Sequence, residues 1–183
     1  MALAIANRYV KALAEVLGRP DSPLQPETAL QQLEAFRSLI DGSHELRNIL
    51  VSPAVDSAKK REIVRELGRR IGIAEPVRNF LYIVMNHKRV ELLATMISVF
   101  RTWLDNQLGI ARIEVTSAES MDVTLRQSLL NSFGRVTGRQ VRARFHEDPE
   151  LLGGAVVRHG STVYDGSLRT QLNALDRVLT GNR

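Results

Sequence analysis

Residues able to do chemistry are sparse in this 183-residue chain, and their spacing argues against an active site. The four histidines, His44, His87, His146 and His159, never fall at the His-x-x-x-His spacing that sets two imidazoles on one face of a helix around zinc. His146, Glu147, Asp148 and Glu150 lie close in sequence, but they follow a strand pattern and lack the spacing of a calcium loop, so a solvated turn is the expectation. Gly153-Gly154 is the one glycine pair. A loop that cradles phosphate would follow a strand and open a helix with a Lys-Ser or Lys-Thr pair, whereas here a strand pattern follows. The pair is therefore expected to serve a turn that needs close backbone approach or a positive φ. The absence of cysteine excludes disulfides, thiolate metal sites and a cysteine nucleophile. No Gly-x-Ser-x-Gly elbow occurs. No catalytic residue, metal or cofactor is expected.

Basic side chains offer a different chemistry, the neutralisation of phosphates. Lys and Arg number 25 against 20 Asp and Glu, a formal net charge of +5. The excess is spread thinly: 15 basic and 12 acidic residues precede position 106, and 10 and 8 follow it. The densest run is Lys59, Lys60, Arg61, Arg65, Arg69 and Arg70, interleaved with Glu62 and Glu66. Nine aromatics, thinly scattered, supply no stacking platform for bases. A solvated helix face is the expectation for this run, and a basic helical adaptor that binds nucleic acid is the alternative.

The elements that would position any site are legible from periodicity. Up to about residue 108, apolar residues recur at three- and four-residue spacing between Gly and Pro breaks, the pattern of six packed amphipathic helices. The first spans about Ala2 to Leu17 and is followed by Pro20, Pro23 and Pro26. The second runs to about Ile40. Ser43 can cap a third over His44 to Val51, and Asp56 a fourth that ends near Gly72. The fifth begins at Pro76 and runs to about Lys88. The sixth aligns Leu93, Met96, Ile97, Phe100 and Leu104 and fades at Gly109.

Beyond Gly109 the period becomes two, with Ala111, Ile113 and Val115 facing one way and Arg112, Glu114 and Thr116 the other. A helix from about Asp122 to Val136 precedes a second alternating run through Val141, Ala143 and Phe145. Residues 155–157 and 162–164 form a hairpin across Gly160-Ser161, and Asp165 or Ser167 can cap a last helix to about Leu179. The expected fold class is α+β: an N-terminal six-helix bundle over 1–108, then a smaller C-terminal α/β domain over 109–183 of strand, helix, strand, hairpin and helix. Polar residues interrupt every apolar run well short of the roughly 18 residues that span a bilayer, and Met1 to Arg8 hold no basic stretch ahead of an apolar one. A soluble chain without an anchor of its own is expected.

The most informative segment is the first helix. At about 100° per residue, Asn7, Arg8, Lys11 and Glu15 share one polar arc. The rest, including Ile5, Tyr9 and Ala12, is apolar over an arc of roughly 200°, about twice what one core-facing stripe needs. Either this helix is deeply buried or it has a second apolar contact. In the fifth helix, Val77, Phe80, Leu81, Val84 and Met85 fill the core arc, while Ile83 projects on the opposite side with Asn79, Asn86 and His87. An exposed isoleucine beside a surplus apolar edge can line a groove for a partner's amphipathic helix.

Several blocks of residues resemble one known family. Arg8-Tyr9-Val10-Lys11-Ala12-Leu13 resembles its opening motif, and Asn79-Phe80-Leu81 with Arg89 resembles its fifth helix and following turn. More specific are Asp148-Pro149-Glu150-Leu151-Leu152-Gly153-Gly154-Ala155-Val156-Val157-Arg158 and Tyr164-Asp165-Gly166-Ser167-Leu168-Arg169-Thr170-Gln171-Leu172. Over both domains the chain is similar to the delta subunits of bacterial F-type ATP synthases, the counterparts of the mitochondrial oligomycin-sensitivity-conferring protein. Glu147 and Tyr164 depart from the family pattern, which usually has apolar and aliphatic residues there. The resemblance implies a non-catalytic stator subunit of an enzyme that makes ATP by proton-driven rotation. Its N-terminal domain would receive the N-terminal helix of an alpha subunit, with Ile5, Tyr9, Ala12 and Ile83 as the candidate contacts. Its C-terminal domain would hold the peripheral-stalk b subunits. The implied location is the cytoplasmic face of the cell membrane, reached through the complex.

Overall fold

The computed structural model describes residues 2–19, 21–160, 162–168, 170 and 172. Two compact units, Met1–Leu104 and Asp105–Arg183, make up the chain. The fold is α+β, with seven helices and a four-stranded sheet among the described residues.

The first unit is built from α1 (Ala2–Leu17), α2 (Pro26–Gly42), α3 (His44–Val51), α4 (Ser57–Arg70), α5 (Glu75–Asn86), a 3₁₀ turn at Val90–Leu92 and most of α6 (Leu93–Gln107). The helix starts follow local chemistry. The Ser43 hydroxyl accepts from the Leu46 N–H at 3.2 Å and satisfies one orphan donor of α3. Asp56 stands at the start of α4 as expected but makes no capping bond: its carboxylate stays in solvent, and only its carbonyl is used, by Lys60 N–H at 3.1 Å. Helix α5 begins one residue before Pro76, which falls in the first turn, where its missing N–H costs nothing.

Three- and four-residue spacing closes a core from these helices. Ala6, Val10, Leu13 and Leu17 of α1 are buried with Leu33, Phe36 and Ile40 of α2, and so is the whole α6 stripe read from the sequence. Phe100 is fully buried and stacks on Trp103 with ring centroids 5.5 Å apart. One member of the basic run departs from the solvated-face expectation. Lys60 is only 6% exposed, and its ammonium donates to the Ser52 carbonyl at 2.6 Å. Its long stem is buried, and its head meets the carbonyl of Ser52, the C-cap of α3.

The second unit holds β1 (Ile110–Ser117), α7 (Val123–Thr137), β2 (Gln140–Glu147), β3 (Ala155–His159) and β4 (Thr162–Asp165). Strand order is β2-β1-β3-β4. Strand β2 runs parallel to β1, from Ile110 opposite Gln140 to Ser117 opposite Glu147, because α7 returns the chain to the same end of the sheet. The β1–β3 and β3–β4 pairs are antiparallel. Ala111, Ile113 and Val115 are buried, and Arg112 and Glu114 are exposed, as the alternation requires. Val141, Ala143 and Phe145 of the edge strand are only half-buried beneath α7, which itself contributes no fully buried residue. Asp122 caps α7 by accepting from Leu125 N–H at 2.6 Å. Arg112 is clamped onto buried Asp105 through Nη2 to Oδ1 at 2.8 Å and Nε to Oδ2, so the last turn of α6 belongs with the sheet.

The glycine pair does serve a close turn. Gly154 has φ +81°, and a Cβ there would collide with the Gly166 carbonyl oxygen and lie 3.0 Å from Ser167 Cα. Two backbone bonds tie the same segments, Leu168 N–H to the Gly153 carbonyl and Gly166 N–H to the Ala155 carbonyl, each at 3.0 Å. Ser167 is buried and receives the chain as a helical turn begins. The remainder of the last expected helix, from residue 173, lies outside the described residues.

Candidate functional site

Sequence reasoning named Ile5, Tyr9, Ala12 and Ile83 as candidates for a docking surface. Positions 5, 9, 12 and 16 repeat at four, three and four residues, which puts Ile5, Tyr9, Ala12 and Val16 on one edge of α1. Positions 76, 79 and 83 do the same on α5. Where these edges meet there is an apolar groove of about 310 Å³. Ala12, Leu13 and Val16 of α1 line one side, Glu75, Pro76, Asn79, Phe80 and Ile83 of α5 line the other, and Pro23 completes the lining.

Two of the four candidates, Ala12 and Ile83, come together in this groove. The small side chain of Ala12 is what leaves it open, since the neighbouring stripe positions carry Tyr9 and Val16. Ile83 is 50% exposed, and Val16 is 42% exposed. Tyr9 and Ile5 do not line the groove. Both are half-buried, and Tyr9 packs edge-on to Phe80 with centroids 6.4 Å apart and to His87 at 6.3 Å. Its hydroxyl accepts from Arg89 Nη1 at 2.9 Å, and the guanidinium lies 5.3 Å from the ring centroid.

Val16, Pro23, Glu75, Pro76 and Asn79 were not named as site residues from the sequence. Val16 was findable as the next position of the Ile5-Tyr9-Ala12 stripe. Pro23 was not, because a loop residue carries no periodic signal. The polar arc of α1 stays in water: Asn7, Arg8, Lys11 and Glu15 are all exposed. The groove is thus a largely apolar strip with one carboxylate, Glu75, in its lining. It can bury apolar side chains of a partner, and it holds no nucleophile or acid–base pair.

Elsewhere the surface offers less. Along α4, Arg65 pairs with Glu62 at 3.2 Å, and Arg69 and Arg70 pair with Glu66 at 3.5 and 3.3 Å. With Lys60 buried as well, the basic run is broken into local pairs, and nothing in it favours the nucleic-acid alternative. Among the described residues, no group of three His, Cys, Asp or Glu side chains is placed to hold a metal ion. No described helix is long and apolar enough to cross a membrane.

Comparison with known proteins agrees with a chain that binds and does not catalyse. The family model described as ATP synthase delta (OSCP) subunit matches residues 5–179. ATP synthase subunit delta of Acidobacterium capsulatum is 37% identical over 176 residues, covering 96% of this chain and 97% of that protein. The subunit delta of Koribacter versatilis is 35% identical over 179 residues, covering 98% and 99%. A chain from the mitochondrial ATP synthase hexamer of Toxoplasma gondii shares the fold, with a TM-score of 0.70 at 22% identity over 96% of this chain and 97% of that one. This chain belongs to the ATP synthase delta (OSCP) subunit family, whose members are non-catalytic stator subunits of F-type ATP synthases.

Proposed function

We propose that the N-terminal six-helix bundle of this chain, residues 1–108, docks the N-terminal helix of an alpha subunit in the α1–α5 groove. In the same proposal, residues 109–183 hold the peripheral-stalk b subunits. The subunit then lies on the cytoplasmic face of the cell membrane, carried there by its partners. Its work is mechanical. By joining the catalytic head to the stalk it resists rotation of the head, so torque from the central rotor reaches the nucleotide sites.

One observation carries this role: the apolar groove that Ala12 leaves open between α1 and α5, with Ile83 and Val16 half in water on its rims. An amphipathic helix laid there removes apolar surface from water at about 25 cal/mol per Å² and needs no charge chemistry. Ile83 is the cleanest position to test, because it is exposed and outside the core. Ile83→Asp is expected to weaken binding of an alpha N-terminal peptide more than tenfold, measured by calorimetry, with thermal unfolding unchanged. Unchanged affinity would remove the groove from the interface. Tyr9→Asp is less clean, since Tyr9 is packed against Phe80 and His87.

A further inference from the structure

We propose that Arg89 is a positioning residue for the groove: it fixes the Tyr9 ring and braces the end of α5 against α1. The inference rests on the docking role above and adds a residue that does not line the groove itself.

Arg89 follows the last turn of α5, and its placement there is over-determined. Lys88 takes a left-handed φ of +57°, a conformation that a non-glycine residue keeps only when its surroundings enforce it. Two bonds do so: Lys88 N–H to the Met85 carbonyl at 2.8 Å, and Arg89 N–H to the Val84 carbonyl at 2.9 Å. From this anchored backbone the guanidinium crosses to α1, donates to the Tyr9 hydroxyl and lies over the ring. A tyrosine in a helix has two open χ1 wells. The hydrogen bond, the cation–π contact and the flanking edges of Phe80 and His87 select one of them. Tyr9 precedes Ala12 on the same edge of α1, so the well it occupies decides whether the apolar strip continues past Ala12 or is obstructed. Arg89 also ties together the two helices whose separation is the width of the groove. Lysine cannot replace it, because an ammonium has no planar fork to bond and stack at once.

The test is a cycle of Arg89→Met, Tyr9→Phe and the double variant in the full chain, with two readouts. In the free protein, ¹H–¹³C spectra of aromatic rings and isoleucine methyls are expected to show shifted Tyr9 and Ile83 signals in Arg89→Met. Tyr82 and Tyr164 signals should stay in place. Affinity for a synthetic peptide of the alpha N-terminal helix is expected to fall about fivefold in Arg89→Met, with the double variant within about twofold of that single change. Arg89→Lys is expected to recover less than half of the loss. Unmoved Tyr9 signals, fully multiplicative losses in the cycle, or full recovery by lysine would each overturn the proposal. If the unaltered chain itself fails to bind the peptide, the docking role falls, and the Tyr9 and Ile83 signals still decide whether Arg89 shapes the groove.

Discussion

Alanine at Gly154 and alanine at Gly160 form a pair that isolates close backbone approach from backbone conformation. Both glycines have positive φ, +81° and +60°. At Gly160 a Cβ meets nothing within 4 Å. Its replacement therefore carries only the left-handed penalty, about 1–2 kcal/mol. At Gly154 the same atom would run into the Gly166 carbonyl oxygen, with Ser167 Cα at 3.0 Å and Gly166 C at 3.2 Å. Those neighbours are main chain and cannot rotate aside, so a further ~1–3 kcal/mol of overpacking is added. The expected totals are about 2–5 kcal/mol for Gly154→Ala and about 1–2 kcal/mol for Gly160→Ala. Urea unfolding followed by circular dichroism measures both, with equal slopes required for the comparison. Equal losses from the two substitutions would refute the reasoning, because the Gly-Gly block and the Asp-Gly-Ser block would then not depend on their mutual approach.

Three other expectations are open to direct measurement. Lys60→Ala should destabilise the chain by about 1–3 kcal/mol, by leaving the Ser52 carbonyl without its donor, whereas exposed Lys59→Ala should stay within about 0.5 kcal/mol in the same urea titration. Phe100→Ala should cost about 3–5 kcal/mol through the cavity it leaves, and should shift the fluorescence of Trp103, the sole tryptophan and its stacking partner. The Ser167 hydroxyl, the Ser167 N–H and the Thr170 hydroxyl hold the Asp165 carboxyl below the usual aspartate range. Because the folded value is the lower one, this stabilisation is present above the unfolded value and is lost as pH falls through the folded one. A carboxyl carbon titration by NMR should place the Asp165 midpoint below that of a free aspartate, and Ser167→Ala should raise it.

Much of the architecture was legible because it is written in short-range patterns. The α6 stripe, the alternation in β1, the Ser43 cap and the hairpin at Gly160 each depend on residues within a turn or two of one another. The exposure of Ile83 was readable for the same reason, as one side chain on the wrong arc of an otherwise regular helix. Asp56 shows the limit of such reading. Its type and position suit a cap, but whether the carboxylate turns onto the helix is a rotamer choice made against solvent, and it stays out.

The sequence by itself determined that α1 carries more apolar surface than one core stripe requires. Tertiary structure alone decided where that surplus goes. Residues 12 and 83 line one groove only because α1 and α5 pack side by side, and the Tyr9 hydroxyl finds its donor in Arg89, 80 positions along the chain. Lys60 belongs by local pattern to a solvated face, and only the Ser52 carbonyl, brought beside it by the packing of α3, accounts for its burial. Periodicity specifies the face a side chain occupies on its own helix; the partner it meets there is set by how helices far apart in sequence pack, and no local pattern encodes that.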